Sequence, residues 1–260
     1  MLIFTVGPKK APFNIHESLL VVKTAFFQVH TERNGGILEA QGQEADLEFT
    51  FKKENSPGTD DTMSEGPAGI LNPGTPSATS DTASQEPIET KQIQADYHLD
   101  THFVKAFGIF VNWLYNTPPQ VPKTALNCKT LIQAYLLALK YRATGLQNLL
   151  VNRIRQYHSD HQVNFDLFFI YLLNRHGDDV KCKLIKYFVD QIAYEIADSG
   201  PAEFDALNSG FEYFMRDRPE GKVRTALLHA VGKLATAGMH GGKIADPAVV
   251  DGNEYYVGAE

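Results

Sequence analysis

The amino-acid sequence predicts an α+β protein that is mostly helical, with a small β-sheet beside a helical cluster and further helices toward the C-terminus. Two blocks, one in the first 30 residues and one after residue 93, each combine a short β-rich stretch with apolar stripes at helical spacing. A long polar segment separates the two blocks. With 260 residues, 43% of them hydrophobic, the chain can bury one sizeable core or two smaller ones.

The first predicted elements are a β-hairpin and a helix. Residues 1–6 are rich in β-forming side chains, and a turn at residues 7–10 leads to a second short strand at residues 12–15. Residues 16–28 then carry apolar side chains at helical spacing, namely Leu19, Leu20, Val22, Phe26 and Phe27. We therefore expect a strand, a turn, a strand and a helix in this order.

The segment at about 36–92 is predicted to be a disordered, acidic insert rich in Ser, Pro and Thr. It cannot bury enough apolar surface to offset the entropy of ordering it, although Leu47, Phe49 and Phe51 alternate as in a short strand. From Arg33 to His98 there are twelve acidic and four basic residues, so the remainder of the chain is nearly neutral. Ser56 and Thr75 precede prolines and are candidate phosphorylation sites, but such dipeptides are equally expected by chance.

The second block is predicted to begin with a strand and continue as helices. Ile93, Ala95, Tyr97 and Leu99 alternate with polar residues, and Asp100 or Thr101 can cap the next helix. The apolar stripe of that helix consists of Phe103, Ala106, Phe107, Phe110 and Leu114. Residues 131–141 are apolar on nearly every side and predict a central buried helix. Gly145 is expected to separate it from a helix that carries Leu146, Leu149, Leu150 and Ile154.

Three more helices are expected, marked by Phe165–Leu173, by Val180–Ile196, and by a stripe after Pro219. The Gly-rich residues after Gly238 are expected to be loose. These boundaries divide the chain into an N-terminal domain at 1–158 that contains the insert, a C-terminal helical extension at 159–238, and a flexible tail at 239–260.

Composition excludes several classes of function. The net charge of −7 and the pI near 5.7 argue against binding to nucleic acid or to an anionic membrane, and a transcription factor would need a zinc finger or basic region that the sequence lacks. The chain contains neither a membrane-length apolar stretch nor a signal-peptide pattern. With only Cys128 and Cys182, both expected to be buried and apolar, we predict a location in the cytoplasm or nucleus.

Histidines are the candidate chemical groups, and each has a structural interpretation. His16 follows a strand and opens a helix, but no Ser, Cys or acid completes a triad with it. His98 and His102 have the spacing of a zinc-protease pair but lack the Glu after the first His. His158 and His161 lack a second ligand cluster, so we expect a solvated helix end. No catalytic, cofactor or metal site is predicted.

Phe13-Asn14-Ile15-His16-Glu17-Ser18-Leu19-Leu20, followed by Ala25-Phe26-Phe27, is similar to the stretches Phe-x-Val-His-Lys-x-Leu-Leu and Ser-Pro-Phe-Phe of the BTB/POZ family, specifically the BTB-domain proteins of filamentous fungi. Residues 107–115 resemble Phe-x-x-Phe-Val-x-Trp-Leu-Tyr, and residues 131–150 resemble Leu-x-x-Leu-Tyr-x-Leu-Ala-x-Lys-Tyr followed by Leu-x-Asn. Residues 183–193 are similar to a segment found after the domain in fungal members. Together the motifs cover roughly residues 1–35 and 93–195.

The resemblance implies a helical cluster flanked by a small sheet and a non-catalytic role as an adaptor or scaffold for other proteins. It implies that a set of residues is structural: Phe13, His16, Leu20, Phe27, Phe107, Phe110, Trp113, Leu114, Tyr135 and Tyr141. In the family, the His16 position is a histidine that hydrogen-bonds within the core. Tyr115, Phe110 and Trp113 are the alternatives for interface aromatics, although helical spacing favours the core for Phe110 and Trp113.

The family associates through homodimers, transcriptional complexes or cullin-based ubiquitin ligases. Members normally carry residues before the first strand, and some dimerise by exchanging them, whereas this chain begins inside the strand. We therefore expect a monomer or a weak homodimer. A substrate adaptor of a cullin-based ubiquitin ligase is the alternative function, although the insert falls near surfaces used for cullin contact and argues against it. An enzyme with an unrecognised site is a further alternative, and an exposed apolar face rather than a polar pocket would argue against it.

Overall fold

The computed structural model describes residues 2–7, 11–26, 28, 94–95, 104–217, 221–240, 242 and 244–258. Helices account for most of these residues, which confirms the prediction of a mostly helical protein. The predicted insert at about 36–92, with Ser56 and Thr75, lies outside the described residues, as do His98 and His102.

Three short strands form one sheet in the order β2-β1-β3. Strand β1 (Leu2–Val6) pairs antiparallel with β2 (Ala11–Ile15), so the predicted N-terminal hairpin is confirmed. Strand β3 (Gln94–Ala95) runs parallel to β1 and is the described part of the strand predicted at residues 93–99. Phe4, Val6 and Ile15 are buried, which places one face of the sheet against the helices.

Helix α1 (Glu17–Lys23) is shorter than the helix predicted at residues 16–28. It ends at Thr24, whose backbone is extended and whose hydroxyl donates to the carbonyl oxygen of Leu20 at 2.7 Å. Thr24 is thus a local C-terminal stop, because its side chain and its backbone N–H both bond to Leu20.

Helix α2 (Val104–Leu114) buries Ala106, Phe107, Phe110 and Leu114, as the apolar stripe predicts. The remaining stripe residue, Phe103, and the predicted caps Asp100 and Thr101 lie outside the described residues.

Helices α3 (Ala125–Lys140) and α4 (Thr144–His158) pack against each other, and α3 is buried along most of its length, as predicted. Thr124 caps α3 by accepting the N–H of Asn127 at 3.2 Å. The break between the helices lies at residues 141–143, where Arg142 has a positive φ of 50°, and not at the predicted Gly145. Gly145 instead sits in the first turn of α4 beside the Trp113 ring.

The C-terminal half contains more helices than the three predicted. A π-helical turn (Phe165–Ile170) leads into α5 (Tyr171–His176), and α6 (Lys183–Ser199) follows. Two short helices that the sequence analysis missed come next, α7 (Pro201–Leu207) and α8 (Gly210–Asp217). Helix α9 (Lys222–Met239) begins after Gly221, so Pro219, outside the described residues, is not its early residue.

One hydrophobic core joins the segments on either side of the predicted boundary at residue 158. Phe165, just past that boundary, contacts Phe169, Phe204, Phe211 and Phe214 with ring centroids 5.2–6.2 Å apart. Because the same cluster reaches Phe4 and Leu20, the described parts of 1–158 and 159–238 are not independent cores.

Residues 244–258, which belong to the predicted flexible tail at 239–260, pack against α4 and α6. This segment contains a 3₁₀ turn (Asn253–Tyr255), and Tyr255 is only 1% exposed. Its composition is that of a loop, but tertiary contacts with α4 and α6 order it.

None of the described helices combines the length and the apolar character needed to cross a membrane.

Candidate functional site

Apolar and aromatic side chains are exposed on α1 and at the end of α2, which are joined by contacts of His16 and Lys23. Val22 of α1 is 81% exposed, Tyr115 just after α2 is 44% exposed, and Trp113 is half-buried. With His16 and Lys23 they form what we call the α1–α2 surface. Aromatic side chains such as that of Tyr115 are enriched at the centres of protein-binding interfaces.

Lys23 fixes α1 to the end of α2. Its ammonium group donates to the carbonyl oxygen of Trp113 at 3.1 Å and to Oδ1 of Asn116 at 2.6 Å. The same group lies 5.1 Å from the centre of the Trp113 ring, within cation–π distance. Asn116 has a positive φ of 63°, which turns the chain immediately after α2. These contacts hold the Trp113 side of the surface in one arrangement.

Tyr115 is held by the backbone of the β2–α1 junction. Its hydroxyl oxygen accepts the N–H of His16 at 3.3 Å, and the hydroxyl lies 3.5 Å from the carbonyl oxygen of Asn14, to which it donates. The His16 ring lies edge-on to the Tyr115 ring, with centroids 6.4 Å apart. The exposed ring is therefore positioned before any partner binds.

His16 does not occupy the core position that the resemblance implies. Its ring is exposed and makes no side-chain capping hydrogen bond, although His16 is the N-cap residue of α1. Ile15 immediately before it is fully buried, and successive side chains of a strand point to opposite faces. His16 is thus a surface residue, and its backbone N–H carries the structural contact with Tyr115.

The other predicted core residues that the structure describes belong to the hydrophobic core or pack against it. Phe13 packs edge-on against Phe107 at 5.0 Å, and Phe110 contacts both Phe107 and Tyr141. Leu20, Leu114 and Tyr135 are fully buried. Trp113 is only partly buried, and the side chain of Phe27 lies outside the described residues.

The predicted solvated helix end at His158 and His161 is wrong for His158. His158 is buried, and its Nδ1 lies 3.0 Å from the hydroxyl of Tyr187. Burial lowers the pKa of His158 to about 3, so the ring is neutral near neutral pH. His161 is exposed and stacks on Tyr157 with ring centroids 4.2 Å apart. Both histidines therefore have structural contacts.

Both cysteines are buried, as predicted, and burial raises the pKa of each thiol. Cys182 donates a long hydrogen bond to the hydroxyl of Tyr135 at 3.9 Å. A protonated thiol is a poor nucleophile, so neither side chain is activated for covalent chemistry.

Two shallow depressions mark the described surface. One is lined by Lys129, Asp166, Tyr171 and neighbouring residues, and the other by His176, Asp179, Cys182 and the end of the C-terminal segment. In the second, Nε2 of His176 lies 3.9 Å from Asp179, but the thiol of Cys182 bonds to Tyr135 instead of to the imidazole. Within the described ranges, no group of three or more His, Cys, Asp or Glu side chains could hold a metal ion.

The buried polar residues of α4 and α6 were not predicted from the sequence. Arg155 is 4% exposed and Glu195 is 6% exposed, and both interrupt stretches that read as apolar helices. A charged residue on the buried face of a helical stripe is the signal that could have found them, because such residues need a partner inside the protein.

Comparison of the chain with protein-family models, with curated proteins and with solved structures found no significant match.

Proposed function

We propose that the protein is a non-catalytic protein–protein interaction module of BTB/POZ type that acts as an adaptor or scaffold. The observation that carries this proposal is the α1–α2 surface, where Val22 and Tyr115 are exposed on a framework fixed by Lys23 and by the His16 backbone. Its partners are other proteins, bound outside the hydrophobic core.

The order of elements supports the BTB/POZ assignment. The first motif spans β2 and α1, the second coincides with α2, and the third runs from α3 into α4. The motif residues Phe13, Phe107 and Phe110 contact one another in series. A helical cluster beside a small sheet is the architecture that this resemblance implies.

The rigidity of the surface favours binding. A partner that covers Tyr115 does not have to order its ring, because the hydroxyl is already bonded to β2 and α1. Immobilising a side chain on association costs about 0.5–1.5 kcal/mol, so prior ordering strengthens binding by reducing that cost. Aromatic residues at the centre of an interface commonly supply a large share of its binding free energy.

The test is a quantitative affinity purification from an extract of a filamentous fungus, with the full chain as bait. The double variant Val22→Asp and Tyr115→Ala disrupts the α1–α2 surface. Leu126→Asp is the matched control, because Leu126 is 70% exposed on a different helix, α3. Circular dichroism of each bait verifies that it is folded.

We expect one set of proteins to be retained by the wild type and by Leu126→Asp and to be depleted about tenfold or more with the double variant. A cullin in that set would assign the adaptor role to ubiquitin ligation. An identical set of proteins on all three folded baits would overturn the proposal that the α1–α2 surface binds partners.

A further inference from the structure

The C-terminal segment, residues 244–258, lies along α4 and α6 in a largely irregular conformation. The helix residues that hold it are Asn148 and Arg155 of α4 and Lys183, Lys186, Tyr187 and Asp190 of α6, which we call the α4–α6 groove. The groove contacts the segment through side-chain hydrogen bonds to its main chain and through contacts with the Tyr255 ring, and peptide-binding sites use both kinds of contact.

Two side chains of α4 bind the main chain of the segment. The guanidinium group of Arg155 donates to the carbonyl oxygen of Pro247 through Nε at 3.0 Å and Nη2 at 2.9 Å, and also to that of Val250. Asn148 forms a two-way pair with Val257, donating to its carbonyl oxygen at 3.1 Å and accepting its N–H at 2.7 Å. Lys183 of α6 adds a bond to the carbonyl oxygen of Glu254.

Asn148 and Arg155 are seven residues apart, about two turns and 10 Å along one face of α4. A segment that runs over this face can therefore form hydrogen bonds near both of its ends, with Arg155 and with Asn148, through its peptide groups. Because these bonds use main-chain atoms, they are available to any extended or irregular peptide of the right length. Arg155 is buried with the segment in place, and the carbonyl oxygens that its guanidinium group binds belong to that segment.

A pocket in the groove selects an aromatic side chain. The Tyr255 ring meets the Tyr187 ring edge-on at 5.4 Å and lies 4.6 Å from the Lys186 ammonium group. The guanidinium group of Arg155 lies 5.6 Å from the same ring. The Tyr255 hydroxyl donates to Asp190 at 3.1 Å, so the pocket also recognises the polar end of a tyrosine.

Charge and size restrict the positions next to that tyrosine. Lys186 forms an ion pair with Glu254 of the segment, which also contains Asp246 and Asp251. A Cβ on Gly252 would collide with the Arg155 guanidinium group, so this position accepts only glycine without rearrangement. The groove therefore fits an acidic peptide with the pattern Gly-x-Glu-Tyr.

We propose that the α4–α6 groove is a peptide-binding site that the C-terminal segment fills within its own chain, and that it takes an acidic Gly-x-Glu-Tyr peptide from a partner protein when that segment leaves. This second site lies on other elements than the α1–α2 surface and does not depend on the BTB/POZ assignment. The tethered segment competes at an effective concentration on the order of millimolar, so a partner binds measurably only when the segment is weakened.

The test uses the full chain and a fluorescein-labelled synthetic peptide of residues 244–258, with binding followed by fluorescence anisotropy. Gly252→Ala weakens the tethered segment through the collision of the new Cβ with the Arg155 guanidinium group, while no groove residue is itself substituted. Gly258→Ala is the matched control, because a Cβ there meets nothing within 4 Å. We expect the peptide to bind Gly252→Ala about tenfold or more tightly than it binds the wild type or Gly258→Ala.

Two further measurements assign that binding to the groove. Adding Asn148→Ala to Gly252→Ala should reduce the affinity for the peptide about tenfold, since both bonds to Val257 are lost. A peptide with Ala at the position of Tyr255 should bind more weakly than the natural one. Equal affinity of the labelled peptide for Gly252→Ala and Gly258→Ala would overturn the proposal.

If circular dichroism shows that Gly252→Ala does not fold, a second variant of the full chain, with a protease site inserted after residue 240, is used in its place. After cleavage the natural segment remains bound without its tether. We expect it to exchange with the labelled peptide while the helical signal is retained. A cleaved segment that never exchanges, or whose release unfolds the helices, would show that it is a permanent part of the fold and would overturn the proposal.

Discussion

Glu195 is a carboxyl group in α6 that the fold keeps away from water. Its two oxygens accept the N–H of Val163 at 3.0 and 3.2 Å, and Gln191 donates to Oε1 at 3.3 Å. Burial raises the pKa of Glu195 from 4.5 to about 7, while the hydrogen bonds from Val163 and Gln191 act in the opposite direction. Near neutral pH the side chain is therefore about half protonated in the folded protein.

This raised pKa makes the free energy of unfolding depend on pH. Between the unfolded pKa and the folded one the native state binds more protons, so the stabilisation present below pH 4.5 is lost as the pH rises through about 7. In Glu195→Gln this contribution to the pH dependence should be absent. The free energy of unfolding of the variant, measured relative to that of the wild type, should therefore increase by about 3 kcal/mol as the pH rises from 4 to 8.

Urea unfolding at a series of pH values measures this difference, with Glu203→Gln as a control on an exposed carboxylate. If the stability difference between Glu195→Gln and the wild type stays constant with pH, Glu195 does not titrate in this range and the assignment of its pKa is wrong.

Phe110 was predicted to be a core residue, and the structure places it in the hydrophobic core. It is 1% exposed, and its ring contacts Phe107, Trp113 and Tyr141. Truncation to Ala should leave a cavity that costs about 3–5 kcal/mol. Leu126→Ala, at a position 70% exposed, should cost less than about 1 kcal/mol. Chemical denaturation of both variants checks this, and similar small losses would show that α2 does not pack as described.

Single residues were predictable from sequence where they belong to a periodic stripe. Phe107, Phe110 and Leu114 follow helical spacing, and all three are buried. His16 and His158 exchanged their expected environments, since His16 is exposed and His158 is buried. The burial of an isolated polar residue depends on partners far along the chain, such as Tyr187 for His158, and local spacing does not contain that information.

At the scale of elements, the start of α9 is capped by a residue from the loop after α5. The carboxylate of Asp178 accepts the N–H groups of Lys222 and Val223 at 2.6 and 2.8 Å, while Gly221 at the N-cap position contributes no side chain. The first N–H groups of a helix have no partner within it, and a carboxylate also interacts favourably with the helix dipole. Asp178 therefore ties α9 to the preceding helices.

Asp178→Ala should destabilise the protein by about 1 kcal/mol and fray the first turn of α9. Hydrogen exchange of the amides of residues 222–225 measures the fraying directly, and Asp160→Ala, at an exposed position after α4, is the control. Unchanged protection of these amides in Asp178→Ala would contradict the capping role.

The elements that were predicted well are those with a strong local pattern, namely the N-terminal hairpin, α2 and α3. The end of α1 at Thr24 and the break at Arg142 were missed, because a side-chain hydrogen bond and a left-handed residue decide them. The C-terminal segment was predicted to be loose from its glycines. Contacts with Asn148 and Arg155, about 100 residues earlier, order it instead.

At the scale of the whole molecule, the exposed large apolar side chains are spread over several elements. Val22 lies on α1, Leu126 on α3, Leu207 on α7 and Met239 on α9. A stable interface typically buries about 1,200–2,000 Å² with an apolar centre, whereas the α1–α2 surface combines a few apolar groups with His16 and Lys23. This distribution does not favour a tight dimer.

We predict a monomer or a weak homodimer that dissociates in the micromolar range or above, which corresponds to about 8 kcal/mol or less of association free energy. Sedimentation velocity over a concentration series measures this equilibrium. A dimer that persists at nanomolar concentrations would require a larger apolar interface than the described surface provides and would contradict the prediction.

Photo-crosslinking tests the proposal that the α1–α2 surface contacts another protein. A photoreactive amino acid replaces Val22 in one full-length chain and Leu126 in another, because both side chains are largely exposed and lie on different helices. After irradiation in a cell extract, we expect discrete crosslinks to another protein from position 22 and none of these from position 126. No crosslink from position 22, or the same products from both positions, would contradict the claim.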